Sequence, residues 1–183
     1  MSYKRWIFIA ILLFVSGLIF GLATPTSITG PISEDIAALS EFSDMLASLP
    51  LFLIAIVIFV KNASVLLISF ALSPIFCLLP VMTLTVNGWM LAIVSTVVVE
   101  KESLGFVLAA LLPHGIVELG ALMLGEAAAL SFGTIAILSL FKKEKRRLVL
   151  PNFRQNIKYL IIALALLLPA AIIETYVTPL FLR

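Results

Sequence analysis

Apolar residues occupy the chain in long runs, and the few polar interruptions decide how many elements those runs become. The first run, Trp6 to Ala23, follows Lys4 and Arg5. At about 18 residues it exceeds the roughly 7–15 of a signal-peptide core, so an uncleaved transmembrane helix is predicted over 5–23. It carries Gly17-x-x-x-Gly21, a spacing that lets another helix approach closely. The stretch 24–48 is polar and holds Glu34, Asp35, Glu41 and Asp44 without a Lys or Arg. Ile36, Leu39, Phe42 and Leu46 give its later part the spacing of a candidate interfacial helix.

A second helix is predicted over 45–60, ending at "FVKN". Residues 62–99 then contain no formal charge. At 1.5 Å per residue they make about 57 Å of helix, roughly two crossings of a ~30 Å hydrocarbon core. Pro74 and Pro80 are expected either to end two full helices or to break them into re-entrant pieces. Residues 103–141 repeat the arrangement, with Pro113 predicted to divide two crossings. "KKEKRR" follows at 142–147, and a last helix kinked at Pro169 is expected over 157–181.

Basic residues favour the cytoplasmic side. The N-terminus and the basic loop 142–156 are therefore expected inside, and the acidic 24–48 loop outside. An even number of crossings must separate residue 5 from residue 142. Six satisfies this and gives seven in all, with the C-terminus outside; four gives five. The expected fold is an all-α polytopic bundle of about seven crossings, with five as the alternative.

Composition agrees with that class. Of 183 residues, 62% are hydrophobic and 12% charged. Soluble domains average about 45–50% and about 25%. The chain is thus read as a single integral membrane domain, 1–183, in the lipid bilayer of the cell membrane. The net charge of +2 comes from basic residues at the edges of apolar runs, which fits topology signals rather than a nucleic-acid face. The single Cys77 excludes an intrachain disulfide. Gly125, Ala129 and Gly133 form a second small-residue stripe, and such faces point to a homo-oligomer.

The candidate chemistry lies in the polar residues inside the apolar runs. Of ten acidic residues, Glu118, Glu126 and Glu174 fall there. Ionisable groups in a membrane are costly and usually face a bundle interior or a wet cavity. His114 precedes Glu118 by one helical turn and shares its face. Counted along seven crossings, Glu118 lies about 22 Å from Ser103, and Glu174 about 24 Å from Lys158. With Glu126 after an external turn and Asn87 beyond the external end of a helix, one buried polar cluster is expected in the outer half of the bilayer. It comprises Asn87, His114, Glu118, Glu126 and Glu174. Three readings stay open for it: hydrogen-bonded packing, a divalent metal such as zinc on His114 with Glu118, Glu126 or Glu174, and a proton or solute pathway. No H-E-x-x-H, P-loop or G-x-S-x-G occurs. An enzyme would have to be a metal-dependent intramembrane hydrolase using Glu118 and a metal-bound water.

Four ordered segments carry a family resemblance. "LLPHGIVELGALMLGEAAAL" (111–130) is similar to the L-P-H-G-I-x-E segment of the stage II sporulation protein M family. "FVKN" (59–62) resembles its F-x-x-N, "VNGWMLA" (86–92) its N-G segment, and "AAIIETYVTPLF" (170–181) its closing I-E-x-x-x-T-P. The resemblance spans residues 59–181 and implies a polytopic membrane protein of a family found in bacteria and archaea. Its sporulation member acts beside peptidoglycan-degrading partners as a membrane scaffold. The expected role is therefore a scaffold or assembly factor with membrane or cell-envelope protein partners, and the alternative a transporter or channel for an ion or small solute. The matching motif positions are Asn62, Asn87, His114, Glu118 and Glu174.

Overall fold

The computed structural model describes residues 3–24, 49–75 and 77–181. The expected interfacial helix lies outside them. Five helices follow in order: α1 (Tyr3–Ala23), α2 (Leu51–Leu72), α3 (Leu78–Lys101), α4 (Leu104–Phe141) and α5 (Arg146–Ile172). A 3-10 turn over Lys143–Lys145 joins α4 to α5, and a π-helical turn (Ile173–Val177) and a 3-10 turn (Thr178–Phe181) close the chain. No strand occurs among the described residues. Among the described residues, five segments are long and apolar enough to cross a membrane.

Five, not seven, corrects the crossing count, and the prolines explain the difference. Pro113 lies inside the 38-residue α4 without ending it. In water an interior proline costs about 3 kcal/mol and commonly breaks a helix. In an apolar bundle a break would strand further backbone groups, so the helix continues past it. Likewise α2 does not end at "FVKN" but runs through Lys61 and Asn62 to Leu72. The break comes at Pro74, where Cys77 takes a left-handed φ of 53°. Pro80 sits in the first turn of α3, where its missing N–H has no helical partner to lose. The expected basic loop 142–156 is helical from Arg146 onward.

α4 touches every other helix and divides the bundle into two halves. On one side α1 and α3 lie parallel and in backbone contact. A Cβ added to Gly17 would fall 2.0 Å from the Thr85 carbonyl oxygen, and one on Gly88 2.1 Å from that of Phe14. Trp6, Ala10, Phe14, Leu84, Ala127 and Leu130 form the core there. On the other side, Leu66 and Phe70 of α2 meet Ala121 and Ala128 of α4 and Leu160 and Leu167 of α5. Gly125 packs under Leu66, and Gly133 lies against the Ser73 backbone. Both small-residue faces are thus engaged within the chain, so they no longer argue for an oligomer.

The level of Gly133 marks the turn between α2 and α3. From Thr134, which Cys77 Sγ approaches at 3.8 Å, α4 continues to Phe141, about 10 Å further. α5 accompanies it back: Arg146 Nε donates to Ser139 O (3.2 Å), and Asn156 Nδ2 to Ser131 Oγ (3.2 Å). Tyr3 stacks on Tyr159, with ring centroids 3.6 Å apart, and donates to Leu124 O.

Candidate functional site

His114 and Glu118 occupy successive turns of α4, and α5 brings the third group. Pro169 cannot donate the helical hydrogen bond, and the backbone beyond it widens into the π-helical turn that carries Glu174. One ring nitrogen of His114, one carboxylate oxygen of Glu118 and one of Glu174 all lie within 4.8 Å of one another. All three residues are half-buried.

Neighbouring side chains orient these groups. From α2, Asn62 Nδ2 donates to Glu118 Oε1 at 2.8 Å. Thr178 Oγ1 lies 3.1 Å from His114 Nδ1 and donates its own proton to Ile173 O (3.3 Å). A hydroxyl has one proton, and with that proton on Ile173 O Thr178 accepts from Nδ1–H. In that arrangement the Nε2 lone pair is free.

Two clefts meet at Glu118. One, of about 120 Å³, is lined by Lys61, Asn62, Asn87 and Glu118. The other, of about 440 Å³ between α3 and α4, has apolar walls such as Met90, Leu91 and Leu112, with Asn87, His114 and Glu118 as its polar part. The groups sit near mid-height of the bundle. Glu118 is about 21 Å along α4 from Leu104 and about 22 Å from the level of Gly133. The expected outer-half depth was counted along seven crossings, and five remove that argument for it.

Two residues named with this cluster are placed differently. Asn87 lines both clefts, but its side chain is exposed and donates to Thr83 O of its own helix at 2.7 Å. Glu126 stands apart. It is fully buried, accepts from Ser69 Oγ at 2.5 Å, and leaves Oε1 without a partner. No turn precedes it, because α4 is continuous.

Sequence reasoning passed over Lys61, Thr178 and Ser69. Lys61 had a signal, a cation beside Asn62 in "FVKN", but was assigned to a helix end. Thr178 stands in the closing I-E-x-x-x-T-P segment and had a signal too. Ser69 in an apolar run had none.

Comparison with known proteins covers nearly the whole chain. The family described as stage II sporulation protein M matches residues 10–179. A curated relative, an uncharacterised protein of Methanocaldococcus jannaschii, is 25% identical over 174 residues, 94% of this chain and 93% of the relative. No solved structure gives a significant match. The family match takes in both faces of the site, from Asn62 on α2 to Thr178 after α5, and the chain belongs to the stage II sporulation protein M family.

Proposed function

We propose that the protein is a membrane-embedded scaffold or assembly factor, with its N-terminus and the α4–α5 turn in the cytoplasm and its C-terminus outside. One observation carries this reading: α4 touches all four other helices and continues, paired with α5, about 10 Å beyond the inner turn of α2 and α3. The end of that hairpin holds Lys142, Lys143, Lys145, Arg146 and Arg147 against the single acid Glu144. Leu140 and Phe141 beside them are 71% and 76% exposed. A stiff stem ending in combined charge and apolar surface suits attachment of another protein, and the backbone contact of α1 with α3 suits a platform that does not rock. Photocrosslinkers at Phe141 and Lys145 in cells should give a discrete protein adduct that weakens when Leu140 and Phe141 become Ser. Lipid adducts alone at both positions would reject the reading.

A second reading, a transporter or channel for a cation, is supported by the two clefts that meet at Glu118. It requires proton or cation flux in liposomes that Glu118→Gln abolishes. A scaffold gives no flux in either form.

A further inference from the structure

We propose that His114, Glu118 and Glu174 form a binding site for a divalent transition-metal cation of the zinc class, joining α4 to the turn after α5. The site is independent of whether the hairpin docks a partner.

The geometry argues for it in three steps. Three donor atoms within 4.8 Å of one another put a central ion about 2.8 Å from each at most. Zinc bonds to nitrogen and carboxylate oxygen are about 2.0–2.2 Å, so shifts of about 0.6 Å in side chains complete the contacts. Next, the outer partners are those a ligating set requires. With its proton on Ile173 O, Thr178 accepts from Nδ1–H and leaves Nε2 to the metal, while Asn62 holds Oε1 of Glu118 and leaves its second oxygen available. Finally, two carboxyls this close in an apolar bundle stay ionised together only with positive charge beside them, and otherwise one holds a proton that a metal would displace. Lys61, in the cleft with Glu118, offers one charge and no ligating lone pair while protonated; a divalent ion offers two at the centre. The donor set also selects. One imidazole with two carboxylates suits zinc, cobalt or manganese, whereas magnesium and calcium favour all-oxygen sites. Three protein ligands leave a position for water or an external ligand.

The test uses the full chain purified in detergent without chelator, followed by cobalt(II) titration of metal-stripped protein. Expected are about one zinc-class ion per chain and a saturable cobalt absorption band that magnesium and calcium do not displace. His114→Ala and Glu174→Gln should weaken cobalt binding at least about tenfold, and Glu126→Gln should leave it unchanged. Lys61→Met should tighten binding, since it removes the nearest rival cation. Glu174→Asp keeps a carboxylate and should bind more tightly than Glu174→Gln, which separates loss of a ligand from loss of fold. Absence of both retained metal and a saturable cobalt band would overturn the proposal. So would equal weakening by Glu126→Gln and His114→Ala.

Discussion

Glu118 and Glu126 are two rungs on one pair of helices. α2 and α4 run parallel, and Asn62 meets Glu118 as Ser69 meets Glu126. The rungs are about 12 Å apart along α4. Each acid receives one hydrogen bond from α2, yet their settings diverge because of what else faces them. At the first rung the turn after α5 brings Glu174 and Thr178, α4 adds His114, and clefts open on both sides. At the second, α5 brings only apolar surface: Ala163 approaches the neighbouring Gly125, and the carboxyl is sealed. An acid buried in a membrane helix is therefore not yet a site. The third helix decides whether it becomes one or remains a hydrogen-bonded packing group.

The sealed rung should show the largest stability effect. Ser69→Val removes the one donor that Glu126 has and leaves both carboxyl oxygens buried without partners, at a cost of about 1–3 kcal/mol. Glu126→Leu should fall within about 1 kcal/mol of the parent, because an apolar residue fits the apolar surrounding and the freed Ser69 hydroxyl can turn to the carbonyl one helical turn back. The double variant Ser69→Val with Glu126→Leu should recover most of the loss. Unfolding in mixed micelles reads this cycle. Additive losses in the double variant would show that Glu126 has a task beyond its bond to Ser69, and the contrast between the rungs would fail.

The open rung should respond in binding instead. Asn62→Leu frees Glu118 to rotate, and Thr178→Val removes the hydroxyl beside His114 Nδ1. Each should weaken cobalt binding by roughly tenfold, the lower end of the range for groups that orient metal ligands. Ser69→Val should not change it. If Asn62→Leu and Thr178→Val leave binding intact, these contacts are packing alone and the two rungs are alike.

Much of this was legible in the sequence, and the failures have physical causes. Long apolar runs declare the all-α class and the membrane-spanning helices, since a bilayer admits few other backbone solutions. Helix number was not readable from length and proline. α4 outruns a bilayer without turning, and Pro113 is carried through because its neighbours stay hydrogen-bonded. The polar residues announced themselves by being costly, but their grouping depends on azimuth and on α5. Hence Glu126 was grouped with Glu118 although it faces Ser69, and Lys61 was read as a helix boundary although it lies within α2. Thr178 owes its place to the π-helical turn, whose register no periodicity rule anticipates.

Asn87 gives the smallest and most discriminating expectation. It belongs to the family-like "VNGWMLA" segment and lines both clefts, which argues for a part in the site. Its amide, however, is exposed and bonds to Thr83 O one turn back on α3, a bond that stays within its own helix. Because that bond joins no second helix, Asn87→Ala should change stability by no more than about 1 kcal/mol and cobalt affinity by less than about twofold. A tenfold loss would mean that α3 closes on the ion when it binds and supplies a fourth ligand through Asn87 Oδ1. The site would then join three helices rather than hang on α4 and the turn after α5. In that case the backbone contact of Gly17 with Thr85 and of Gly88 with Phe14 would have to slide for Asn87 to arrive, so cobalt binding would become sensitive to Gly17→Ala. If α3 stays where it is, Gly17→Ala should lower stability without touching affinity.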